Sequence, residues 1–182
     1  LAELEVASRP RDRGRTYHDA WLDIWLGAIL AGDEAWIERV SAIAAAIEGR
    51  TTDGVELGEL RAFRAFALAR WDDPSLGTTG ARVVPTVRVA RLWASLERGA
   101  DPSALAVEAG RMRTNPEVAP QVALLEAEML RRQGQLARAR GIAEEARATL
   151  ERRGRVSLEA FAWVPLGHRV LADTLTALGE RA

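Results

Sequence analysis

The chain has 182 residues, 48% of them hydrophobic, with 25 basic against 26 acidic side chains. It can therefore bury one good core, and no global field selects nucleic acid, a membrane surface or an acidic substrate. It contains neither Cys nor Lys, which removes disulfides, thiolate metal sites, a Cys nucleophile, Schiff-base chemistry and a phosphate-loop lysine together. Its apolar runs fall short of the ~18 residues that cross a bilayer. No signal peptide is visible, so a cytoplasmic location is expected.

Residues 1–19 read as an arm. Arg9, Arg11, Arg13 and Arg15 crowd around Pro10 and Gly14, with Tyr17 the one aromatic among them. Arginines of this kind release counterions on a phosphate backbone, but the missing aromatic interleaving and the balanced total charge favour a solvated linker. From residue 20 to 182 the pattern is helical. The first helix, Ala20 to Ala31, carries Trp21, Leu22, Ile24, Trp25, Leu26 and Ile29 and is apolar nearly all round, so burial between neighbours is expected. Asp33 caps a second helix to Glu48, with Trp36, Val40, Ile43 and Ile47 on one face. A third runs from Val55 to Trp71.

Asp73-Pro74-Ser75 is a helix start, yet Gly77, Thr78, Thr79 and Gly80 stop it within a turn. Arg82 to Val84 and Thr86 to Val89 have β-branched density, interrupted by Pro85. A fourth helix is nonetheless expected from Pro85 to Arg98, packing through Val89, Leu92, Trp93 and Leu96. Asp101-Pro102-Ser103 repeats the start signal, and here the helix survives to Met112. Asn115-Pro116 breaks the chain again. A sixth helix spans Glu117 to Gln133 and a seventh Gln135 to Arg152. The last, Ser157 to Leu178, has Pro165 inside it and should kink or split near Val164.

Between Leu130 and Ala146 a helix ends, Gly134 falls at the corner, and a second helix opens with Ala139, Ala143 and Ala146 along one side. Gly99, Gly134 and Gly179 lie 35 and 45 residues apart, which brackets the period of helix-pair repeats. The arrangement resembles a tetratricopeptide repeat, an antiparallel helix pair that is stable only when stacked. The longer form, from Glu151-Arg152-Arg153-Gly154 through Gly179-Glu180-Arg181-Ala182, is similar to the repeats in sensor arrays of bacterial ATP-dependent transcriptional activators of the maltose-activator and antibiotic-regulatory type. The resemblance implies an all-α fold, a TPR-like right-handed superhelix of antiparallel pairs with about eight helices. Residues 49–84 are its less regular part and 85–182 its clearest. A compact helical bundle with a structural role is the alternative. Leu1 is not Met, and the tail reads as a first repeat helix with its turn, so a piece of a longer protein is expected.

The function implied is non-catalytic: a protein-interaction or regulatory sensor module, without cofactor or metal, that takes a peptide, protein or effector in a concave groove. Direct nucleic-acid or membrane binding is not expected, and self-association stays open. In the resembling family the first helix of each pair lines the groove. Counting back from Gly134 puts Gln121, Leu124, Glu128 and Arg131 on that face; counting back from Gly179 adds Leu166, Arg169, Asp173 and Thr176. Arg61 and Arg64 are secondary candidates, since no acid lies three or four residues from either within their helix. Two departures matter. Glu126 fills a position that is apolar in the family, and the carboxylate clamp of chaperone-binding members needs Lys and Asn in its groove. Here Lys is absent and the single Asn, Asn115, is in a loop.

An enzyme reading would use His18 and Asp19 as ligands of a metal-dependent hydrolase. Such sites need further His and Asp ligands, and the only other histidine is His168, which is expected to pack on the preceding helix. Asp72-Asp73 is explained by capping. Arg88, Arg91 and Arg98 share a stripe with Ser95, expected to be a solvated face.

Overall fold

The computed structural model describes residues 62–63, 65–77, 85–154, 160 and 162–180, with the single positions Gly27, Ala35 and Arg39. The arm, His18, Asp19, Arg61, Arg64 and the Ser157 cap lie outside the described residues. Gly27, Ala35 and Arg39 are helical, as the first two expected helices require. No strand occurs among the described residues, and the chain there is all-α.

A 3-10 turn at Pro74–Leu76 precedes five helices: α1 Pro85–Glu97, α2 Pro102–Met112, α3 Ala119–Arg132, α4 Leu136–Gly154 and α5 Val164–Ala177. The β-branched run Thr86 to Val89 is thus helical. Pro85 opens α1, and Val89, Leu92, Trp93 and Leu96 then fall at 3.6-residue spacing on a buried face. α3 begins two residues later than the sequence pattern indicates. The Oδ1 of Asn115 accepts from the Glu117 amide at 3.0 Å, and Pro120 occupies the first turn.

The two Asp-Pro-Ser segments fold alike at first. Oδ1 of Asp73 accepts from the Ser75 amide at 2.9 Å, and Oδ1 of Asp101 from the Ser103 amide at 3.0 Å. Both are N-caps with Pro just inside. The residues after Ser75 and Ser103 set the two lengths. Gly77 turns its N–H back to the Pro74 carbonyl at 2.9 Å and ends the first after three residues, whereas Ala104-Leu105-Ala106 carries the second forward as α2.

Three of the turns use glycine at positive φ: Gly99 at 88°, Gly134 at 76° and Gly179 at 75°. Each closes with the same pair of bonds, for example Gly134 N–H to Arg131 O at 3.0 Å and Gln135 N–H to Leu130 O at 2.9 Å. A fourth turn has this geometry without the glycine. Ala69 sits at φ 52°, its N–H bonds Phe66 O at 3.0 Å, and the Arg70 N–H bonds Ala65 O at 2.8 Å. The third helix therefore ends at Ala67, not at Trp71. Pro165 acts as expected: turn residues occupy 162 and 163, and α5 starts at Val164 with Pro165 in its first turn.

α1 packs on α2 and α3, α2 on α3, α3 on α4, and α5 on both α4 and α3. Ala139, Ala143 and Ala146 are all buried, so α4 lies close to its neighbours. On α5, a Cβ at Gly167 would come within 3.2 Å of Arg147 Cγ, so glycine permits that approach. The core joins both ends of the described chain. Trp163, fully buried, meets Phe66 at a tilt with ring centroids 4.2 Å apart and Trp93 edge-on at 6.0 Å.

Candidate functional site

Helical spacing puts Gln121, Leu124, Glu128 and Arg131 along one side of α3, but not on an open surface. Gln121, Leu124 and Glu128 are 3%, 0% and 1% exposed. The expectation that these three line an open groove is corrected. α3 is in contact with α1, α2, α4 and α5, so most of this row of residues is enclosed. The part of the site that reaches solvent is arginine: side-chain exposure is 25% for Arg131, 27% for Arg132 and 39% for Arg169. Asp173 on α5 is exposed.

These arginines are held from behind by two sheltered carboxylates. Arg131 grips Glu128 with a fork, Nε to Oε2 and Nη2 to Oε1, both at 2.8 Å. Arg132 donates from Nε to Glu128 Oε1 at 2.7 Å, from Nη1 to the Leu96 carbonyl at 2.6 Å and from Nη2 to Glu97 Oε2 at 3.0 Å. The other oxygen of Glu97 accepts from Trp93 Nε1 at 3.0 Å and from Arg169 Nη2. The Arg169 guanidinium lies over the Trp93 ring, 5.7 Å from its centroid. One connected set of charges therefore spans α1, α3 and α5.

The electrostatics follow from that set. Burial by itself pushes the Glu128 carboxyl up, and the hydrogen bonds from Arg131 and Arg132 with their charges outweigh it, so its pKa falls below the ordinary value. Arg131 is raised, first by its bond to Glu128 and further by Asp173 and Glu97. Each is a charge-assisted bond that fixes a guanidinium plane. Two polar atoms nearby in the core stay unmatched: Gln121 Oε1 and Trp163 Nε1 are buried without a hydrogen-bond partner.

Other candidates resolve locally. His168 Nε2 meets Glu151 Oε1 of α4 at 3.0 Å, with a side chain 57% exposed, so it touches the preceding helix without being packed under it. Asp73 spends Oδ1 on Ser75. The stripe on α1 is not simply solvated. Arg88 Nε reaches Glu108 of α2 at 2.9 Å, and Arg98 Nη1 reaches the Trp71 carbonyl at 2.7 Å. Among the described residues no group of three His, Asp or Glu side chains stands where one metal ion could be held. Nor is any described helix long and apolar enough to cross a membrane.

Glu97, Arg132 and Trp93 are the residues that sequence reasoning missed. The signal lay in the register. Glu97 and Arg132 each stand two residues before a turn glycine, Gly99 and Gly134. Opposite charges at the same distance from the turn that ends each helix, on the packed helices α1 and α3, are set up to pair. Comparison with known proteins adds nothing to this geometry: no family model, no curated protein and no solved structure matches the chain.

Proposed function

We propose that this chain is a non-catalytic interaction module. It belongs to a TPR-like right-handed superhelix and takes an extended or helical segment of a partner protein, or a regulatory effector, across its first helices. The observation that carries this reading is the shared charge set of α1, α3 and α5, in which partly exposed guanidinium groups are held by the partly buried Glu97 and the buried Glu128. Three successive first helices contribute to one surface, as stacked pairs do. Arg131 and Arg169 receive the acid of the segment and Asp173 its base, a mixture suited to a peptide rather than to a long nucleic-acid backbone. The absence of Cys and Lys supports binding over chemistry, and a cytoplasmic place within a bacterial transcriptional regulator is the setting in which the resembling arrays work.

The test is selection from a displayed random-peptide library, followed by calorimetry of the enriched peptides. Arg131→Ala with Arg169→Ala should weaken binding roughly tenfold or more, the scale of a lost charge-assisted hydrogen bond. Arg88→Ala on α1 should leave it unchanged. Equal binding to the double variant, or loss with Arg88→Ala alone, overturns the assignment.

A further inference from the structure

α2, α3 and α4 enclose an open cleft of about 370 Å³ on the side of α3 that carries Glu126. That volume lies in the range of small-molecule sites. Its apolar surface comes from Met129 and Leu130 of α3 and Ile142 of α4. Its α2 wall is Ala106 and Gly110, and a Cβ on Gly110 would meet nothing within 4 Å.

The polar lining is unevenly satisfied. Arg113, which caps the end of α2, holds Glu126 through Nε to Oε1 at 3.0 Å and through Nη2 to Oε2, so the one carboxylate of the cleft is bonded at both oxygens. Arg138 of α4 is different. Among the described residues its guanidinium bonds only the neutral Gln135, Nη1 to Oε1 at 2.6 Å. Two guanidiniums against one carboxylate leave the cleft with a net positive charge, and that charge is at Arg138.

We propose that this cleft binds a small amphipathic carboxylate. The apolar body covers Met129, Leu130 and Ile142 beside Gly110, and the anionic group pairs with Arg138. The occupant is small because the space is small, amphipathic because polar and apolar side chains line the cleft together, and anionic because Arg138 lacks a carboxylate while Glu126 is already engaged. A cation of the same shape would meet Arg138 unpaired.

An amide NMR titration of the full chain with octanoate tests this, with octylamine and octanol as probes of equal length. Octanoate is expected to shift the amides around Gly110, Leu130 and Arg138 saturably, and more tightly than octanol or octylamine. Gly110→Leu fills the space and should abolish the shifts. Arg138→Gln, at an exposed position that leaves folding intact, should weaken octanoate about tenfold and leave octanol unchanged. Arg131→Ala with Arg169→Ala should not alter octanoate binding, which separates this site from the charge set across α1, α3 and α5. Binding of octylamine as tight as octanoate overturns the proposal. So does the absence of saturable shifts at millimolar octanoate, or octanoate binding unchanged by Arg138→Gln.

Discussion

Glu126 and Glu128 stand two residues apart on α3, and each binds arginine, yet they do different work. Glu128 is 2% exposed at its side chain and is held by two arginines of its own helix. Glu126 is 14% exposed, and its partner Arg113, 67% exposed, comes from the end cap of α2. The first is enclosed where α3 has neighbours, and its charge holds only because guanidiniums surround it. The second edges an open cleft, where water serves either partner. Proximity in sequence says nothing about which kind of ion pair forms; the neighbours of each face decide it.

The largest break in that comparison is Glu128→Ala. It leaves Arg131 and Arg132 facing one another without their carboxylate, and should cost about 3 kcal/mol of unfolding free energy, the scale of a broken buried pair. Urea denaturation near neutral pH measures it. Arg132→Gln comes next, at roughly 1.5–3 kcal/mol, because it removes the bond to Glu97 as well as one of the three to Glu128. A third measurement is acid titration of stability. The pKa of Glu128 is depressed in the folded chain, so the unfolded chain binds the proton more readily. Its contribution is complete above the ordinary carboxylate range and is lost as the pH falls through the depressed value. Glu128→Gln should therefore flatten the acid limb of a denaturation series; an unchanged limb would assign acid sensitivity to other carboxylates. The smallest effect belongs to Glu126→Ala, below about 1 kcal/mol, as exposed pairs give. The same variant frees Arg113 and should tighten octanoate in the cleft, so stability and binding move independently there.

Much of this architecture was legible where one residue type fixes one backbone state. Gly99, Gly134 and Gly179 announced their turns, Asp101-Pro102 announced α2, and Pro165 announced the break before α5. Ala69 announced nothing, because alanine adopts its positive φ only under the pull of the surrounding packing. The candidate site was legible in a narrower sense. Spacing from the turn glycine put Gln121, Leu124 and Glu128 on a common side of α3, but helical period says only which residues share a face. It does not say what lies over that face, and α1 and α5 lie against it. Glu97 and Trp93, far away in sequence, became partners of Arg132 and Arg169 only once the helices met.

Glu97 closes α1 and holds Arg132 of α3 and Arg169 of α5 on its two oxygens. A carboxylate shared in this way works as a pin. For α3 or α5 to slide back along α1 by a helical turn, the guanidinium bonds to Glu97 would have to be given up. No acid stands one turn back, at Trp93 or Ala94, to receive them. Shear between these helices is thereby penalised, whereas α2 and α4, which give no side chain to the pin, can shift without breaking it. Any change of shape in this half of the chain should then be a hinge movement of whole helices, with the arginines carried along as one rigid rank.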